Sequence, residues 1–267
     1  MQDELAIRFL GVGNAFAHAL GNSGCVLEVE GAPALMVDCG PLALPSFDEH
    51  YAAPWPESVF VTHLHMDHIG GLEALFFRIF LARIENPHTN RGCQLFVPTH
   101  LLHTLHLKLA ETSHTVAEGG MNWWDMFQLV PVASHFWLKG MKFDVFPVRH
   151  FAHNSAFGLC LPGAFLYTGD TRPIPEVIST YASQGELIFH DCDRVGSPAH
   201  CGADELEANY SRDQIARMRL YHYADTAAAE EMRAKGLAVV ERGERFVLQP
   251  QKKRGGVSSP APVAHNG

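Results

Sequence analysis

Short apolar runs alternate along the chain with Gly, Pro, Asn and Asp clusters, and their periods separate strands from helices. Residues 5–10 read as an opening strand closed by the turn Gly11-Val12-Gly13-Asn14. Residues 23–30 and 34–38 read as two further strands, joined near Gly31-Ala32-Pro33 as a hairpin. Residues 41–58 hold four prolines and are expected to lack regular structure. Val59, Phe60 and Val61 form a buried strand, and residues 71–83 a helix. A strand at 94–97 and a helix at 99–111 follow, then strands at 129–133, 142–148, 157–161, 164–168 and 186–189. Residues 203–209, 211–218 and 226–235 read as helices, 219–221 as a short strand, and 239–248 as a last strand pair or hairpin edge. From Pro250 onward Gly, Ser, Pro and Lys dominate, so 250–267 is expected to be a disordered tail behind one domain spanning 1–249. Periodicity alone yields α/β or α+β.

The strand at 59–61 runs directly into His63-Leu64-His65-Met66-Asp67-His68, three imidazoles and a carboxylate where a strand ends and a helix begins. His63 and His65 can converge on one metal ion. Asp67 and His68, turned away by the start of the helix, can hold a second. Neutral imidazole with carboxylate suits zinc, and also iron or manganese. Asp38, at the end of a buried strand, is equally suited to orienting a ligand histidine and to capping its own loop. His100, His103 and His106 recur every three residues and read better as a solvated or core-edge face than as ligands. Residues 113–127 read as a lid, with Trp123, Trp124 and Phe127 expected to pack it on the core.

Composition narrows the function classes. The chain has 267 residues, 47% hydrophobic and 18% charged, which suits one large globular domain. No apolar run reaches membrane-spanning length, and the first residues lack a signal-peptide pattern, so the cytoplasm is the expected location. The six cysteines form no C-x-x-C pair and read as reduced thiols. A formal charge of −9 disfavours long nucleic acid, whose binding needs many Lys and Arg contacts to phosphate. A small anionic substrate stays compatible if divalent cations offset the charge locally.

The H-x-H-x-D-H segment resembles the signature of the metallo-β-lactamase-fold hydrolases. The opening Phe9-Leu10-Gly11-Val12-Gly13 and the later Val37-Asp38-Cys39-Gly40-Pro41 resemble the phosphodiesterase branch, ribonuclease Z and related cyclic phosphodiesterases. The resemblance covers residues 5 to about 248. It implies an α+β fold, a four-layer αββα sandwich, and two divalent metal ions, zinc first with manganese or iron as alternatives. It implies His63, His65 and His150 on one ion, Asp67, His68 and His222 on the other, and Asp170 of Thr168-Gly169-Asp170-Thr171 bridging them. His153 is the alternative third histidine. Between two such ions a hydroxide would attack a phosphodiester in line with the leaving oxygen.

His190-Asp191 and His200 resemble in part the His-Glu and His-Ser-Thr segments of ribonuclease Z-like enzymes. Asp67, Asp191 and His200 are therefore the expected catalytic residues, with His200 charged by Asp191 as proton donor. The sequence lacks the basic arm with which ribonuclease Z grips transfer RNA. The expected substrate is therefore a small phosphodiester such as a cyclic nucleotide. Ribonuclease Z-like cleavage and glyoxalase II- or lactonase-like carbonyl-ester hydrolysis are the rivals. A diiron redox role is disfavoured because His65 stands where those relatives carry glutamate, and a non-catalytic scaffold because the ligand set is complete. Homodimers are common among such proteins, which leaves a homodimer open here.

Overall fold

The computed structural model describes residues 4–88, 92–111 and 122–248, so the expected tail and part of the expected lid (with His114 and Glu118) lie outside the described residues. Two sheets face each other. The first contains β1 (Leu5–Gly11), β2 (Gly24–Val29), β3 (Ala32–Val37), β4 (Ser58–Phe60), β5 (Cys93–Pro98) and β6 (Phe127–Val132), with β13 (Arg245–Leu248) outside β1. The second runs in the spatial order β12 (Met218–Tyr221), β11 (Leu187–Asp191), β10 (Phe165–Tyr167), β9 (Phe157–Leu161), β8 (Met141–Pro147), β7 (His135–Leu138). Aromatic rings join the two. Phe9 of β1 meets Phe189 at 5.1 Å and Tyr221 at 5.6 Å, and Phe96 of β5 meets Phe136 at 4.3 Å.

Helices flank this sandwich. They are α1 (Ala43–His50), α2 (Met66–Ile69), α3 (Gly71–Glu85), α4 (Leu102–Leu105), α5 (Pro175–Tyr181), α6 (Leu206–Asn209), α7 (Arg212–Arg217) and α8 (Thr226–Ala234). α1 packs on β1 and α3, and α7 packs on β11, which gives the layers helix, sheet, sheet, helix. The α+β αββα architecture is thus the observed one.

Four local expectations need correction. Residues 41–58 do contain regular structure, α1. Pro45 falls in its first turn, where a backbone N–H has no helical partner to lose, and Leu44 and Phe47 are buried beneath it. β7 was not expected, yet Phe136 and Leu138 point inward and His135 and Trp137 outward. Its turn to β8 is Lys139-Gly140, both at positive φ. α5 was likewise not expected, although Pro175 sits at its N-terminus. The helix expected over 99–111 is broken into a 3-10 turn, α4 and a wide π turn over His106–Ala110.

One carboxylate ties together β2, β1 and β13 at one end of the first sheet, in addition to their backbone pairing. Glu28 of β2 accepts from Arg8 of β1 at 2.9 Å, from Arg245 of β13 at 2.6 Å and from Tyr51 at 2.7 Å. Burial works against its charge, but Arg245, Tyr51 and Arg8 outweigh it and hold its carboxyl below the ordinary value. A lowered folded pKa means the stabilisation is complete above the unfolded value and is lost as pH falls through the folded one. Glu28→Gln should therefore cost about 1 kcal/mol at pH 7, or roughly 2–4 °C in Tm. Thermal melts across pH should show that deficit shrinking below about pH 4.3. A deficit constant down to pH 3 would contradict it.

Candidate metal centre

Parallel pairing gathers the ligand-type residues. β10, β11 and β12 run parallel, with Tyr167 opposite Phe189 and Asp191 opposite Tyr221. Their C-terminal ends therefore deliver Asp170, Asp191 and His222 to one edge. β3 and β4 are also parallel, with Val37 opposite Phe60, and deliver Asp38 and His63 to the facing edge. The Phe157 N–H donates to the Thr62 carbonyl at 2.9 Å and joins the two edges. α2 begins at Met66, with His65 as its N-cap, so Asp67 and His68 occupy its first turn. The turn at Gly40 is pressed against α2. Cys39 N–H donates to the His68 carbonyl at 2.7 Å, and a side chain at Gly40 would strike the Asp67 carbonyl. Asp38 and His222 hold left-handed backbone, φ 62° and 73°, which non-glycine residues adopt under local constraint.

One donor group is all imidazole. His65 Nδ1 lies 3.1 Å from His63 Nε2 and 3.2 Å from His150 Nε2. Tautomers follow from the partners behind. Thr62 Oγ1 gives its only proton to Asp38 Oδ2 at 2.7 Å, so it accepts from His63 Nδ1–H at 3.0 Å. His150 Nδ1–H donates to the Ala199 carbonyl at 3.0 Å. Both Nε2 lone pairs are thus aimed into the site. Burial pushes the pKa of His63, His65 and His150 down, which keeps them neutral and able to ligate.

The second group is Asp67, His68 and His222, whose ligand atoms lie within 4.8 Å of one another. Asp170 stands between the groups. Its Oδ2 is 3.6 Å from His63 Nε2 on one side, and 3.3 and 3.1 Å from the Nε2 atoms of His68 and His222 on the other. His68 Nδ1 donates to Asp38 Oδ2 at 2.8 Å, so Asp38 orients a site histidine and anchors the Thr62 loop as well. Asp191 reaches His222 Nδ1 at 3.4 Å.

The donors fit divalent cations. His68 Nε2, His222 Nε2, Asp170 Oδ1 and Asp191 Oδ1 are buried without a hydrogen-bond partner. Such orphaned atoms are costly unless a ligand takes them up. Nitrogens 3.1–3.2 Å apart match ligands at about 2.0–2.1 Å from one zinc ion. The carboxylates also draw positive charge. Burial opposes a charge on His222, yet Asp170 and Asp191 lift its pKa to about 10. Burial would raise Asp170, and His222, His68 and His63 drive it well below the carboxylate range instead.

A cavity of about 330 Å³ opens onto this cluster, lined among others by His65, Asp67, Asp170, His200 and His222. His200 Nδ1–H donates to Asp191 Oδ2 at 2.8 Å, and Thr171 N–H donates to the same oxygen at 2.7 Å. His200 thus stands against the metal-donor cluster, its ring 4.6 Å from that of His222. His153 is exposed and belongs to none of the metal-capable groups among the described residues; with His100 and Lys108 it lines a second cavity of about 390 Å³, which also reaches His63 and His65. His103 and His106 are exposed, and His106 accepts from the Trp124 indole at 3.1 Å. Trp123 is fully buried against Phe127. Sequence reasoning missed the Ala199 carbonyl and Thr62 as tautomer-setting partners. A carbonyl leaves no residue signal, but the Thr62-His63 adjacency is visible in the chain.

An αββα sandwich with this donor set at its edge defines a metal-dependent hydrolase of the metallo-β-lactamase fold. The metallo-β-lactamase fold protein YhfI from Bacillus subtilis superposes with a TM-score of 0.71 at 15% identity, over 92% of this chain and 100% of that one. Within this class the chain belongs to the family described as Anti-Pycsar protein Apyc1, whose model matches residues 5–246. A protein of that name from Paenibacillus harenae is 28% identical over 250 residues, 90% of this chain and 98% of its own. Another, from Bacillus phage 010DV004, is 25% identical over 278 residues, 93% of this chain and 100% of its own. Among the described residues no helix is long and apolar enough to cross a membrane.

Proposed function

We propose that the chain is a dinuclear phosphodiesterase acting on small phosphodiesters, cyclic mononucleotides foremost. The observation that carries this reading is the shared cavity: His200, held by Asp191, faces the same small space as Asp67, Asp170 and His222. His63, His65 and His150 would hold one ion, Asp67, His68 and His222 the other, and Asp170 both. Zinc is the expected metal, with manganese or iron as alternatives. When bound, such ions polarise phosphoryl oxygens and lower the pKa of a water.

The protein's own groups do the rest. Asp191 accepts the Nδ1 proton of His200, which leaves Nε2 to carry a proton toward the leaving alkoxide. Burial lowers the pKa of His200, but Asp191 outweighs it and raises it above the ordinary imidazole value. That direction favours the charged acid form that a proton donor needs. A carbonyl substrate with a thiolate leaving group would need no such donor. A cavity of about 330 Å³ suits one small molecule, and the −9 chain carries no basic arm for RNA.

The test is hydrolysis by metal-loaded protein across cyclic mononucleotides, an aryl phosphodiester, a precursor transfer RNA and a thioester. Turnover of cyclic nucleotides and the aryl diester is expected. Turnover of the thioester alone, or of the transfer RNA alone, would sink the proposal.

A further inference from the structure

Soluble chains scatter single apolar residues over their surfaces, so one exposed Phe carries no message. Their placement here is not scattered. Phe16, 88% exposed, and Val195, 63% exposed, are the two most exposed large apolar residues among the described ones. Both line the cavity that holds Asp170, His200 and His222.

We infer that Phe16 and Val195 form a nucleobase clamp at the mouth of this cavity. The inference rests on the cyclic-nucleotide reading above and names the part of the site that grips the base. A nucleobase is a flat ring with two apolar faces, and an aromatic side chain standing in water stacks on it. The cavity floor takes the phosphodiester, so the base of a bound nucleotide is left at the rim, where these two side chains stand.

The backbone fixes both jaws relative to the floor. Phe16 N–H donates to Asn14 Oδ1 at 3.0 Å, and Ala17 N–H to the Asn14 carbonyl at 3.1 Å. Asn14 N–H in turn donates to the carbonyl of Tyr223, next to His222, at 3.3 Å. A side chain at Gly13 would meet the Ala17 Cβ at 2.7 Å, so this loop is closely packed. Val195 sits on the loop between Asp191 and His200. Ser197 N–H in that loop donates to the His200 carbonyl at 3.0 Å. A base held between the jaws therefore sets the sugar relative to the proton donor. Phe16 and Val195 are positioning residues for the nucleoside and bear no chemistry themselves.

The test compares kcat/KM for a cyclic mononucleotide with that for the cyclic phosphate of methyl riboside, which keeps sugar and diester but has no base. Phe16→Ala should lower the ratio of the two about tenfold, through KM of the nucleotide. Phe16→Trp should restore it, and its added indole emission should be quenched by the nucleotide and not by the base-free ester. Trp137→Ala, an exposed ring on β7, should leave the ratio as it is. A ratio unmoved by Phe16→Ala would overturn the clamp. So would a change of oligomeric state in that variant with the ratio unmoved, since a second copy would then be the partner of this face. If the wild-type chain hydrolyses neither cyclic phosphate, the proposed function itself fails, and the clamp with it.

Discussion

Asp170→Asn should abolish turnover, by about a thousandfold or more, and strip the protein of tightly held metal. The carboxylate Oδ2 stands 3.1 to 3.6 Å from imidazole nitrogens of His63, His68 and His222, in both donor groups. An amide keeps the volume and removes the charge, so the fold should persist while the donor set loses its shared anion. Metal content after dialysis, read beside circular dichroism, separates the two effects. A variant that keeps wild-type metal and rate would remove Asp170 from the site. The metal-free variant has a further signature. Asp170 helps lift the pKa of His222 to about 10, so in the variant that imidazole should titrate at lower pH.

His200→Gln should lower kcat by about a hundredfold or more on a cyclic nucleotide, whose sugar alkoxide needs a proton to leave. The loss should be far smaller on a nitrophenyl diester, whose leaving group is stable as an anion at neutral pH. Equal losses on both would show that His200 supports the site by packing alone. The pH profile gives an independent check. Asp191 raises the pKa of His200 despite burial, so the acid form persists to higher pH than in a free imidazole and is lost as pH rises through the raised value. Asp191→Asn removes the raising partner, and the alkaline limb of kcat should move to lower pH. Both proteins are compared metal-loaded, so the ions' own field is common to the two curves.

Much of the site was legible because its centre is local. His63, His65, Asp67 and His68 lie in six consecutive positions at a strand-to-helix junction, and α2 duly begins at Met66. Asp170, His150 and His222 were legible through likeness to a family. Nothing in the sequence says that Asp170 Oδ2 ends 3.1 Å from His222 Nε2 across a separation of 52 residues. That distance depends on parallel strand register and on a left-handed backbone at His222, both set by tertiary packing. Asp38 was left between two roles, and one carboxylate performs both, through His68 and Thr62. Helix α1 was missed because proline was read as a breaker without regard to position, and β7 although its alternation and its Lys139-Gly140 turn were visible. Phe16 carried no signal, because exposure belongs to the folded surface and not to the residue.

The most direct test of a dinuclear phosphodiesterase is a rate titration. Metal-free protein is supplied with zinc, or with manganese in parallel, and hydrolysis of a cyclic mononucleotide is followed at each addition. Two ions sharing Asp170 predict a rate that reaches its plateau at two equivalents per chain. A plateau at one equivalent, or no turnover at any loading, would contradict the account.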